Sequence, residues 1–171
     1  MQIFLSPHSD DEILFGAYTI MREKPLVVIC THATMQGDNG YERAMESYKA
    51  MKMLGASVMF LGIDEDELTE EILRKKINSL IDDDYYLTIY APEYEEDGNP
   101  HHNLVNKVAN GFVHDVKTYK TYSGLETRTI GKEIIPTPEE LELKKKAMQC
   151  YQTQIQNPNT AHYFQTYAEY Q

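Results

Sequence analysis

The chain has 171 residues, 42% of them hydrophobic and 25% charged, enough for one domain with a real core and too few for two comfortable ones. Its formal net charge of -11 repels phosphate backbones and anionic bilayers, which argues against general nucleic-acid or membrane-surface binding but not against a local basic pocket. The two cysteines, Cys30 and Cys150, lack the spacing of a zinc knuckle or a disulfide framework. The N-terminus shows neither a basic n-region nor a long apolar h-region and no apolar run is long enough to span a bilayer, so a reducing, cytoplasmic setting is expected.

Residues 2–5 read as a strand ended by Pro7, and residues 10–23 as a helix with Ile13, Leu14, Ala17, Ile20 and Met21 on one face. Residues 26–31, LVVICT, are a continuous apolar run, as in a strand buried on both faces, with Cys30 packing as a small hydrophobe. A loop over 32–40 leads to a helix over 42–54, with Gly55 placed as its C-terminal cap. A strand over 57–61, an acidic turn and a helix near 68–81 follow, then a strand over 85–90 and a loop over 91–100 rich in acid, Pro and Gly. Helical spacing resumes over 102–112, short strands are expected over 117–122 and 128–135, and Thr137-Pro138-Glu139-Glu140 opens a helix running to about residue 156. The tail after about residue 157 is polar and aromatic and has no assigned structure.

Strand and helix alternate at least four times with short loops. The expected architecture is α/β: a mostly parallel sheet with helices on both faces, in a single domain over 1–171. Ligands of such sheets bind beyond the carboxyl ends of the strands, here in the loops after residues 5, 31, 61 and 90.

The loop after residue 5 contains SPHSDDE, residues 6–12. Ser9 and Glu12 have the spacing of a capping box, and Asp10 and Asp11 suit the first turn of a helix, so a purely structural account explains every residue except His8. A catalytic zinc site instead needs three His or carboxylate ligands and an open position. His8 and Asp11 supply two. The loop after residue 90 carries NPHHNLV, residues 99–105, so His101 or His102 can supply the third. Asp10, beside a ligand carboxylate, is then placed to act as a general base. His32 lies at the same sheet edge with a weaker claim.

These motifs resemble the PIG-L/LmbE-like family of metal-dependent de-N-acetylases. PHSDDE at 7–12 is similar to the family's opening H-x-D-D-E; RAME at 43–46, continuing to Leu54-Gly55, is similar to its R-x-x-E element; NPHHNLV at 99–105 is similar to its H-P-D-H-x-x-V; and KKAMQCYQTQ at 145–154 is similar to its C-terminal element. The resemblance implies a Rossmann-like fold and hydrolysis of the acetamide of an N-acetylated sugar or sugar conjugate. It implies Zn2+, or another divalent metal, held by His8, Asp11 and His102. Asp10 would be the base, and Arg43 would contact the substrate or hold the site loops. Asn99 stands where the family has an acid or oxyanion-binding histidine, and His101 where it has an aspartate, so that role falls to His101 or to Asn99.

Asp64, Glu93 and Tyr94 are candidate pocket residues, although loop acids are usually only solvated. Without the resemblance, Arg43 reads as an i,i+3 helix-surface pair with Glu46. The tail tyrosines more often pack than bind sugar. The expected partner is a small-molecule N-acetylated sugar or conjugate, with homo-oligomerisation left open. The competing readings are an amidohydrolase acting on a non-sugar acyl-amide and a binding domain that kept the fold without the activity.

Overall fold

A computed structural model describes residues 2–32, 40–81, 87–112, 115–121 and 131–171. Five parallel strands, β1 (Gln2–Ser6), β2 (Leu26–His32), β3 (Val58–Asp64), β4 (Thr88–Pro92) and β5 (Asp115–Tyr119), form one sheet in the order β3-β2-β1-β4-β5. From β1 the chain builds outward through β2 to β3. It then returns to the other side of β1 for β4 and β5. The order therefore reverses between β1 and β4, and a crevice is expected at their carboxyl ends.

Alternation along each strand separates two cores. Phe4, Val27, Ile29, Tyr90 and Tyr119 face α1 (Asp11–Phe15), α2 (Ala17–Glu23), α3 (Gly40–Leu54) and α6 (Pro138–Met148). Ile3, Leu5, Val28, Cys30, Ile63 and Ile89 face α4 (Glu70–Asn78) and α5 (Pro100–Asn110). Both faces of the sheet are thus covered, as the apolar runs require. β3 is an edge strand, and Met59 and Phe60 are partly exposed on it.

The helix expected over 10–23 is two helices, broken at Gly16. A Cβ on Gly16 would lie 2.2 Å from the Phe4 ring, so close approach to the sheet fixes glycine there. The helix expected to reach residue 156 ends at Met148 and resumes as α7 (Gln152–Ile155). Gly55 does cap α3: at φ 69° it donates to Lys52 O while Ala56 donates to Met51 O, a Schellman arrangement. Thr137 and Glu140 form a reciprocal capping box at the start of α6. Of the strand expected over 128–135, residues 128–130 lie outside the described residues, and Glu133 makes only an isolated bridge to Tyr170. Residues 33–39 of the loop expected over 32–40 and residues 85, 86 and 122 also lie outside them.

The tail is built into the fold. Phe164 and Glu169 are buried. The Glu169 carboxylate accepts from the amide of Tyr18 in the first turn of α2 and from Lys144 Nζ at 2.6 Å, both side chains of that ion pair being fully buried. Lys144 Nζ also donates to Leu14 O.

Candidate metal centre

Pro7 ends β1, and its carbonyl is pinned by the amide and hydroxyl of Thr31 on β2. The following turn delivers His8, Asp10 and Asp11 to the β1/β4 crevice. On the other side Asn99 caps α5, whose first turn presents His101 and His102. His8 Nδ1 lies 3.0 Å and His102 Nε2 3.1 Å from Asp11 Oδ2, and the two ring nitrogens are 3.3 Å apart. His102 Nδ1 is 3.0 Å from Thr121 Oγ1, a contact that orients its ring. Asp11 and His102 are buried and His8 is half-buried.

Burial alone would raise the pKa of Asp11. The charge of His102, together with hydrogen bonds from His102 and His8, outweighs it and holds the carboxyl well below the usual range. Asp10 is different. Burial pushes its carboxyl well above the usual range, Arg43 pulls the other way, and Asp11, Glu12 and Glu65 add repulsion. Its backbone sits at φ 148°, a conformation side-chain-bearing residues rarely adopt.

The expected Ser9–Glu12 capping box is absent. The N-cap position of α1 is Asp10, with no side-chain cap bond, and Glu12 is turned inward. Its carboxylate accepts from the Asp10 amide at 2.9 Å, from Ser6 Oγ at 3.1 Å and from the Tyr151 hydroxyl at 2.5 Å. A buried carboxylate needs several donors, and the C-terminal part of the chain supplies one of them. Arg43 is not a helix-surface partner of Glu46. It reaches across to Ser9 O at 2.8 Å and Asp10 Oδ2 at 3.2 Å, while Glu46 accepts from the amide and hydroxyl of Thr153.

Among the other sequence candidates, Asn99 is exposed and its Oδ1 accepts from the His101 amide at 2.8 Å, so that oxygen serves the helix cap. His101 Nδ1 is 3.0 Å from His8 Nε2. Asp64 pairs with His32 at 2.7 Å on the neighbouring strand end. Tyr94 is 60% exposed and Glu93 pairs with Lys120. Three contributors were missed: Glu65, whose carboxylate approaches His8 and His101; Thr121; and the Glu12–Tyr151 pair. The strand-end rule pointed at the loop holding Glu65, but nothing local separates it from its acidic neighbours, and Thr121 fell inside the strand expected over 117–122.

The sequence profile of GlcNAc-PI de-N-acetylase (PIG-L) matches residues 3–113, which include His8, Asp10, Asp11, Arg43, His101 and His102. The chain belongs to that family. No curated protein matches it. Among solved structures, a triple mutant of a deacetylase of the teicoplanin biosynthetic pathway is 16% identical, with TM-score 0.69 over 95% of this chain and 87% of that one. The zinc-inhibited form of teicoplanin deacetylase Orf2 is 15% identical, with TM-score 0.64 over 90% and 84%. GalB, a 4-carboxy-2-hydroxymuconate hydratase from Pseudomonas putida KT2440, is 12% identical, with TM-score 0.64 over 96% and 82%. At these identities the likeness is one of fold. The hydratase shows that this Rossmann-like frame carries more than one chemistry, so the family assignment rests on the profile. Among the described residues, no helix is long and apolar enough to cross a membrane.

Proposed function

We propose that this PIG-L family member is a metal-dependent de-N-acetylase that cleaves the acetamide of an N-acetylated sugar or sugar conjugate, releasing acetate and a free amine. The observation that carries the reading is the convergence of His8 Nδ1, Asp11 Oδ2 and His102 Nε2 at one point, with Asp10 beside them.

Two imidazoles and one carboxylate suit Zn2+ or a similar divalent ion. A cation held by His8, Asp11 and His102 would polarise the acetyl carbonyl and acidify water. Thr121 fixes the His102 ring. The Asp11 carboxylate stays ionised and so available as a ligand. Asp10 takes the proton from the attacking water. Its raised proton affinity makes it a stronger base than an ordinary aspartate, and Arg43 keeps it oriented and partly offsets the desolvation. His101, on the same rim, is the group that gives a proton to the departing amine, and Asp10 passes the water's proton on to solvent; Asn99, whose side-chain oxygen caps α5, has no proton acidic enough for that step. Deacetylases of teicoplanin biosynthesis share the fold, which supports removal of an acetyl group.

The test is acetate release from a panel of N-acetylated sugars, their glycosides and nucleotide sugars. Protein stripped of metal would be compared with protein reloaded with Zn2+. Release confined to the reloaded protein is expected. Equal release from stripped protein, or none from reloaded protein on any sugar substrate, would overturn the reading.

A further inference from the structure

The His8 ring has a second nitrogen, and it does not face the inner centre. Nε2 points away from Asp11 and lies 3.0 Å from His101 Nδ1. The Glu65 carboxylate joins them, and one ligand atom from each of His8, Glu65 and His101 lies within 4.8 Å of the other two. Three strand ends supply this set. His8 follows β1, Glu65 opens the short 3-10 turn Glu65–Glu67 after β3, and His101 lies in the first turn of α5 after β4. All three side chains are half-buried, whereas Asp11 and His102 are buried, so the outer set stays open to solvent when the inner one is filled.

We propose that His8 Nε2, His101 Nδ1 and the Glu65 carboxylate form a second divalent-cation site, which shares the His8 ring with the inner site and fills after it. The proposal rests on the metal-centre reading above, because the ring must already be held through Nδ1. In that state the remaining ring proton sits on Nε2 and points at His101 Nδ1. A second cation replaces that proton, which leaves to solvent, and the ring bridges the two ions. The first cation repels a second one bound to the same ring, so the outer site is the weaker of the two. It also ties up His101 and places a second positive charge beside the reacting centre. Metal in excess of one equivalent is therefore expected to suppress the reaction that the first equivalent supports.

The experiment is equilibrium dialysis of metal-free protein against increasing Zn2+, read by elemental analysis, for the wild type, Glu65→Gln and His101→Asn. Circular dichroism would confirm that each variant is folded. The wild type is expected to bind one tight equivalent and a second, weaker one. Each variant is expected to keep the tight equivalent and to bind the second at least tenfold more weakly. A tight equivalent with no second, or a second that neither substitution weakens, overturns this proposal and leaves the inner centre standing. Absence of the tight equivalent in the wild type overturns both.

Discussion

The Tyr151 hydroxyl donates to the Glu12 carboxylate at 2.5 Å across 139 residues of chain, and the other oxygen of that carboxylate accepts from the Asp10 amide. The turn that carries the candidate base is therefore held from the C-terminal end of the molecule. Burial raises the proton affinity of both groups, so Tyr151 keeps its proton and donates it to a carboxylate whose ionisation burial disfavours. Tyr151→Phe leaves the carboxylate one donor short and is expected to cost about 1–3 kcal/mol of stability. Urea denaturation of the wild type and the variant measures it.

Lys144 and Glu169 form a fully buried ion pair that ties the tail to the start of α2. Burial lowers the pKa of Lys144 and raises that of Glu169, and each charge is sustained by the other. Lys144→Met strands a buried carboxylate and is expected to cost about 3–5 kcal/mol, whereas pairing it with Glu169→Leu recovers much of that loss. Thermal unfolding of the single and double variants separates the two outcomes.

Thr121 Oγ1 lies 3.0 Å from His102 Nδ1, the ring nitrogen that faces away from Asp11. Thr121→Val keeps the shape and removes the hydrogen bond, so metal affinity is expected to fall about 10–100-fold. Competition with a chelator of known affinity gives the value.

Arg22 and Glu140 join α2 to the start of α6, with Nη2 2.6 Å from the carboxylate. The hydrogen bond from Arg22 holds the Glu140 pKa below its ordinary 4.5, with slight burial opposing it. A lowered folded-state pKa stabilises above the unfolded value, and the contribution disappears as pH falls through the folded one. The pair is solvent-screened, so the wild type should exceed Glu140→Gln by about 0.5 kcal/mol at pH 7. That difference should shrink steadily below pH 4.5. Unfolding free energies across the acid range follow it.

Much of the frame is written in local pattern. Pro7 ends β1, LVVICT marks a doubly covered strand, and the strand-end rule brings His8, Asp11 and His102 to one crevice, where they do meet. The errors arise where a distant partner decides. Ser9 and Glu12 have capping-box spacing, but Tyr151 and Ser6 turn Glu12 inward. Gly16 sits in good helical periodicity, and only the Phe4 ring beneath it shows why a glycine is needed there. Arg43 and Glu46 have pairing distance on one helix, yet Ser9 and Asp10 claim one and Thr153 the other. Glu65 is one acid in an acidic run, and its place beside His8 and His101 is set by where β3 ends in the sheet.

The central claim is that Asp10 drives hydrolysis at a cation held by His8, Asp11 and His102. Its most direct test is the rate of acetate release by Asp10→Asn against the wild type, each loaded with one equivalent of Zn2+ and assayed on the best substrate of the panel. Equal metal content with a rate about 10²–10⁴-fold lower in the variant is the predicted result. A variant that holds its zinc and releases acetate at the wild-type rate would contradict the account.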